Sequence, residues 1–82
     1  MWTGVQFTGS VPANASQRWF TFNWNPAWNV VWYVMPTSTG TVPEIDWSVA
    51  VQRASATAVT YWITVTNHTP GAVAFEARFA VL

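Results

Sequence analysis

The residues of this chain that could do chemistry together are one tryptophan and a few charged side chains on predicted strands. Residues 60–67 alternate strictly, which predicts a strand with Trp62 on the side of its threonines, away from the apolar face. If the flanking turns join neighbouring strands as hairpins, Trp62 lies opposite Ser48 on one strand and Glu76 on the other. The charged groups expected on that polar face are those of Asp46, Glu76 and Arg78.

This combination predicts a surface that binds sugars. A sugar ring has one face of C–H groups and an edge of hydroxyls, so it is recognised by a flat aromatic ring bordered by hydrogen-bonding groups. The hypothesis is a non-enzymatic, lectin-like carbohydrate-binding module that gains avidity as a homo-oligomer. The other interpretations of this face are cross-strand packing and a subunit contact. The ligand-binding residues would be Trp62, Asp46, Glu76 and Arg78.

The residue types argue against catalysis, a metal and a cofactor. Asp46 and Glu76 could act as paired glycosidase carboxylates only across a cleft, and a domain of this size is not expected to have a deep one. His68 is the only histidine, and a metal would need two more ligands to converge on it. No nucleophile-elbow motif is present, and the four glycines form no phosphate-binding loop. We therefore expect no enzyme.

Composition indicates which partners to expect. Charged residues make up 7% of the 82-residue chain, the net charge is zero and there is no lysine. Without a basic patch the chain is not expected to bind nucleic acid. No basic leader and no apolar run of about 18 residues occurs, so we expect no membrane insertion. Seven Trp and five Phe on a nearly uncharged chain favour a homo-oligomer.

The elements that must position these side chains are strands. No segment repeats at helical period, whereas six alternating runs are separated by turn residues. This pattern predicts an all-β protein, a small antiparallel β-sandwich of immunoglobulin-like or jelly-roll-like type, as one domain over residues 1–82. The first run is expected at a sheet edge, and residues 36–43 are expected to cross between sheets. The runs are residues 2–8, 17–24, 28–35, 44–53, 57–66 and 72–82.

A second group of aromatic residues is predicted to face outward. A hairpin at residues 25–27 would put Phe20 and Phe22 on the core side and Trp19 outside, opposite Tyr33. An outer face this apolar is expected to meet another strand or subunit. The alternative function is therefore a structural or assembly protein whose exposed aromatics form interfaces in a closed oligomer or shell. The predicted interface residues are Trp19, Tyr33, Val31 and Met35.

The last part of the chain resembles a known kind of module. The stretch "ITVTN", residues 63–67, is followed by the Pro70-Gly71 turn and a final strand. This pattern resembles immunoglobulin-like and jelly-roll modules of bacterial surface, lectin and carbohydrate-binding proteins. The resemblance implies a β-sandwich and carries over no functional residue, because it consists of a strand, a turn and a strand.

Two glycosylation sequons occur, Asn14-Ala15-Ser16 and Asn67-His68-Thr69, both in predicted loops. Such triplets are common by chance and act only in a glycosylating secretory pathway. We expect neither asparagine to be glycosylated.

Overall fold

Every alternating run of the sequence forms a strand. The computed structural model of the protein describes residues 1–40 and 42–82, and its six strands pair only antiparallel. The predicted all-β fold class is confirmed. Within the described residues no helix is long and apolar enough to cross a membrane. The strands are β1 (Trp2–Val11), β2 (Ser16–Trp24), β3 (Val30–Pro36), β4 (Ile45–Arg53), β5 (Val59–Asn67) and β6 (Val73–Val81).

The strands form two three-stranded sheets. Sheet A has the order β1-β6-β3 and sheet B the order β2-β5-β4, so β1 is an edge strand, as predicted. The chain changes sheet at each connection except the β4–β5 hairpin. Residues 36–43 cross from sheet A to sheet B as expected, and Thr41 within that stretch lies outside the described residues.

The predicted β2–β3 hairpin is wrong. β2 pairs with β5 and β3 pairs with β6, so the loop between β2 and β3 carries the chain from one sheet to the other. This crossover buries large rings against each other. The rings of Trp24 and Trp32, one from each sheet, lie 5.5 Å apart and nearly perpendicular. Side-by-side pairing would not place these two side chains face to face across the core.

The predicted β5–β6 hairpin is also wrong, since β5 is the centre of sheet B and β6 the centre of sheet A. Ile63 and Val65 on β5, like Phe75 and Ala77 on β6, are almost completely buried. These two strands carry the most completely buried apolar rows, and stacking them across the sandwich buries both rows at once. The β4–β5 hairpin is confirmed, but its register is shifted by two residues, so Trp62 lies opposite Ala50.

A bulge in β2 exchanges the two faces of that strand. The register with β5 shifts between Thr21 and Trp24, and Asn23 within the bulge has a left-handed φ of 66°. The extra residue lets both Trp19 and Trp24 contact the core. Phe20 and Phe22 consequently point outward and are 56% and 61% exposed, so their predicted core placement is wrong.

Two glycines of β1 are covered by phenylalanine rings. Gly9 lies opposite Phe75 and Gly4 opposite Phe79 in the sheet. A Cβ atom on Gly9 would approach Phe75 to 2.8 Å, and one on Gly4 would approach Phe79 to 3.1 Å. The absence of side chains here lets both rings pack closely against the β1 backbone.

Asn67 is the buried polar centre at one end of the sandwich. Its Nδ2 donates to the carbonyl oxygens of Val11, Pro12 and Gly71, at 3.1, 3.2 and 2.9 Å. Its Oδ1 accepts from the backbone N–H of Thr69 at 2.9 Å. The side chain therefore joins the end of β1 to the turn between β5 and β6. The sequon at Asn67 was predicted in a loop, but this asparagine ends β5 and its amide is enclosed.

Candidate functional site

The four predicted ligand residues are divided between two opposite surfaces. Trp62 and Asp46 lie on the outer face of sheet B, whereas Glu76 and Arg78 lie on the outer face of sheet A. The hypothesis that they share one face is wrong, because it depended on a β5–β6 hairpin. Their individual roles in binding stay predictions.

Asp46 is also separated from Trp62 within sheet B. Asp46 pairs with Thr66, four positions along β5 from Trp62, a distance of about 13 Å at ~3.3 Å per residue. The carboxylate of Asp46 instead bonds the Nε2 atom of His68. This hydrogen bond raises the pKa of His68; desolvation opposes the rise, and the charges of Asp46 and Glu44 add to it.

Trp62 is part of a packed outer surface. The guanidinium carbon of Arg18 lies 4.3 Å from its ring centre, and the ring of Phe20 lies 5.2 Å away. Its indole N–H donates to Oε1 of Gln52 at 2.7 Å. One ring face and the only polar atom of Trp62 are therefore already engaged. Phe22, 6.0 Å from Phe20, extends this aromatic row.

Glu76 and Arg78 form an ion pair on sheet A. The Nε and Nη2 atoms of Arg78 both donate to Oε1 of Glu76, at 2.7 and 2.6 Å. The pair is partly exposed, and such pairs contribute little stability, about 0–1 kcal/mol.

Three of the four predicted interface residues share a surface. Val31, Tyr33 and Met35 face outward from β3, and Val31 and Tyr33 are half exposed. Trp19 is different, and its predicted outward position is wrong. Its ring stacks on Phe7 at 6.1 Å and meets Phe75 at 5.0 Å, because the β2 bulge turns it inward.

A cleft that the sequence did not predict lies at one end of the sandwich. There the β2–β3 loop meets the β4–β5 hairpin, and the space between them measures about 690 Å³. The cleft is shallow and open to solvent, so a ligand bound there would lie across it and stay partly exposed. The lining residues are Asn23, Asn25, Pro26, Ala27, Trp28, Arg53, Ala56 and Thr57.

Trp28 is the aromatic wall of this cleft. Its ring is 41% exposed and lies nearly perpendicular to those of Trp2 and Trp24, at 5.6 and 6.4 Å. The loop that carries it is a tight turn, with Oδ1 of Asn25 accepting from the Ala27 N–H at 2.9 Å. A further backbone bond joins Trp28 N to Asn25 O at 3.1 Å. Ring contacts and turn together position the indole before any ligand arrives.

Arg53 supplies positive charge to the cleft. Its Nε and Nη2 atoms donate to the carbonyl oxygens of Ser55 and Ala56, at 3.0 and 2.9 Å. These two bonds hold the guanidinium within its own hairpin and leave other N–H groups available. None of the described lining residues is acidic, so the cleft favours a negative or neutral polar ligand.

The cleft combines groups suited to binding. Trp28 offers an apolar face, the amides of Asn23 and Asn25 offer donors and acceptors, and Arg53 offers charge-assisted donors. Its described lining contains no histidine, cysteine or carboxylate that could act as a base or nucleophile. Nowhere in residues 1–40 and 42–82 do three His, Cys, Asp or Glu side chains gather as metal ligands.

The cleft could not be predicted from a sequence in which residues 25–27 read as a hairpin turn. The local signal was present in the stretch "NWNPAWN", residues 23–29, which is dense in Trp and Asn. This stretch lines a cleft only because the β2–β3 crossover brings the loop beside the β4–β5 hairpin. Arg53 itself lies thirty positions beyond Asn23, at the far end of β4.

Comparison of the chain with protein-family models, curated proteins and solved structures finds no match to any of them.

Proposed function

We propose that this protein is a non-enzymatic carbohydrate-binding module and that its site is the cleft at the end of the sandwich. The observation that supports this most is that one half-exposed tryptophan, two asparagines and one arginine line the same shallow cleft. The C–H face of a sugar ring stacks on an indole, and its hydroxyls bond amides and guanidinium groups. This moves the proposed aromatic contact from Trp62 to Trp28.

The charge of the cleft favours acidic saccharides. Arg53 is held by backbone carbonyls and not by a carboxylate, so its charge is not neutralised within the cleft. A guanidinium binds a carboxylate through two parallel hydrogen bonds. We expect a sugar carrying a carboxylate, such as a uronic acid, to bind more tightly than its neutral counterpart.

The test is a glycan array that holds matched neutral and acidic saccharides, followed by calorimetric titration of the best ligand. Trp28→Ala should weaken binding by more than about tenfold, which corresponds to ~1.4 kcal/mol. Arg53→Gln should remove the preference for acidic sugars and leave weaker binding of neutral ones. Circular dichroism of each variant checks that the sandwich is intact.

Trp62→Ala is the matched control, because it removes an indole from the outer face of sheet B and Trp62 is not among the residues that line the cleft. Binding that survives Trp62→Ala and is lost in Trp28→Ala supports the end cleft. The reverse pattern would move the site to sheet B, and the absence of any bound glycan would refute the carbohydrate proposal.

Assembly is a second candidate function, favoured by one specific observation. Large apolar side chains remain exposed on several strands of the protomer, among them Val31, Tyr33 and Val51. Extended apolar patches on a protein surface mark interaction sites. A charge content of 7% removes much of the repulsion that keeps protomers apart.

A further inference from the structure

The side of the sandwich bordered by β4 is incompletely covered. On the central strand β5 the inward residues Ile63 and Val65 are fully buried. On the neighbouring β4, the inward residues Val49 and Val51 are 37% and 66% exposed. Trp47, between them and the start of the strand, is sheltered in part by Tyr33 of β3, whose ring lies 5.0 Å away. The inward apolar row of β4 therefore extends beyond the edge of sheet A, which leaves Val49 and Val51 uncovered.

The backbone of β4 is unpaired along the same edge. Its register with β5 runs without a shift from Ile45 to Arg53, and none of the described strands pairs with its other side. Half of the N–H and C=O groups of an edge strand point outward and can accept another strand. Residues 48–53 are all exposed.

The other edge strands carry features that discourage pairing. β1 has a bulge between Val5 and Phe7, and β2 has one between Thr21 and Trp24. β3 has seven residues and ends in Pro36. Proline and lysine commonly protect an exposed edge strand from pairing. The nine residues of β4 include neither.

The charges of β4 select one orientation for a second copy of the same strand. Acidic residues Glu44 and Asp46 lie at its start and Arg53 at its end. Antiparallel pairing of two β4 strands lays the acidic end of each strand beside the basic end of the other. Asp46 and Arg53 project from opposite faces of the strand, so the attraction acts between the strand ends and forms no direct ion pair. Parallel pairing would place like charges side by side.

We infer that two copies of this chain pair through antiparallel β4 strands, joining their B sheets into one six-stranded sheet. A two-fold axis at Val49 places this residue opposite Val49 of the partner subunit and Trp47 opposite Val51 of the partner subunit. The exposed inward side chains of β4 in one copy then lie next to those of the partner subunit. Together they fill the gap between the two A sheets. The inference rests on the second candidate function and names its partner and its surface.

This arrangement is isologous, meaning that both copies contribute the same surface. It also sets the spacing of the two clefts. Arg53 is four positions from the axis, so the Cα atoms of the two Arg53 residues are offset by roughly 26 Å along the strands at ~3.3 Å per residue. If the clefts bind sugars, a repeating polymer could occupy both and gain avidity.

The test uses analytical ultracentrifugation of the purified chain at micromolar concentration. The wild type should sediment as a dimer, and Val49→Lys should raise the dissociation constant more than about 100-fold, because two like charges then meet at the axis. Since Val49 faces itself, mixing Val49→Lys with Val49→Glu should restore a heterodimer that neither variant forms alone. Val51→Lys is a second variant, at a side chain already 66% exposed in the protomer.

Phe20→Lys is the matched control, because Phe20 is exposed on the outer face of sheet B and away from the β4 edge. Dissociation by Phe20→Lys and not by Val49→Lys would overturn the inference in favour of face-to-face packing. A wild-type monomer, or failure of the Lys–Glu mixture to associate, would also overturn it. Glycan titration of monomeric Val49→Lys tests the cleft separately, since each copy carries a complete one.

Discussion

The guanidinium carbon of Arg18 lies 4.3 Å from the centre of the Trp62 ring, over the face that the sequence predicts to be open. The two residues are on neighbouring strands, β2 and β5. A cation over an indole at this distance contributes about 0.5–1 kcal/mol at an exposed site. Arg18 therefore covers one face of the Trp62 ring, and a ligand that stacks on that face would have to displace it.

Trp62→Ala should cost less stability than Ile63→Ala, although the two residues are adjacent. Ile63 is completely buried, and its truncation opens a core cavity worth ~2–5 kcal/mol. Truncation of Trp62 removes its hydrogen bond to Gln52 and its contacts with Arg18 and Phe20, about 1–3 kcal/mol together, and opens no core cavity. Urea unfolding of both variants measures the difference. Equal losses would mean that Trp62 is buried in an interface.

Asn67→Asp should destabilise the protein by more than about 3 kcal/mol. The carboxylate cannot donate to the carbonyls of Val11, Pro12 and Gly71, and it would meet them as a buried charge. The control is Asn14→Asp in the other sequon, at an exposed turn with φ of 52°, a conformation that aspartate tolerates. Thermal melts should show a change within ~0.5 kcal/mol for the control. A mild effect at Asn67 would contradict its role in joining β1 to the β5–β6 turn.

Gly9→Ala should destabilise the sandwich by about 1–3 kcal/mol. The new Cβ would lie 2.8 Å from the ring of Phe75, which is buried and cannot move aside without disturbing the core. Gly71→Ala is the matched control, because nothing lies within 4 Å of its added Cβ. Chemical denaturation should show a loss for Gly9→Ala and almost none for Gly71→Ala. Similar behaviour of the two variants would argue against the close packing of β1 on Phe75.

His68 should titrate above its ordinary pKa of about 6.5 because its hydrogen bond to Asp46 favours the protonated ring. A raised folded-state pKa means that this pair stabilises the protein below the unfolded pKa and that the contribution is lost as pH rises through the folded value. The unfolding free-energy difference between wild type and Asp46→Asn should therefore shrink as the pH rises from 6 to 8.

NMR titration gives the direct measurement, and the signal is unambiguous because His68 is the only histidine. The pKa should fall in Asp46→Asn and stay raised in Glu76→Gln, whose carboxylate lies on the other sheet. An unchanged pKa in Asp46→Asn would show that the ion pair does not form in solution.

Six strands could be predicted from the sequence because alternation is a local property. Neighbouring side chains in a strand point to opposite faces, so a period of two reveals both the strand and its apolar face. Residues 44–53 and 60–67 illustrate this, since Trp62 does face outward and Ile63 does face the core. The β4–β5 pairing was predictable for the same reason: five residues separate the strands, and a short turn leaves few alternatives.

Tertiary structure alone decided which strands share a sheet. The turn at Pro70-Gly71 is compatible with a hairpin or with a crossover, and the crossover prevails because it stacks the buried rows of β5 and β6. Likewise, a bulge at Asn23 turns Trp19 inward and Phe20 outward, which no regular alternation could indicate. The end cleft and the open edge of β4 both result from this arrangement of the strands in two sheets. Strand formation depends on adjacent residues, whereas the burial that selects which strands pair depends on residues far apart in the chain. For this reason only folding brings Trp28 and Arg53 to the same cleft.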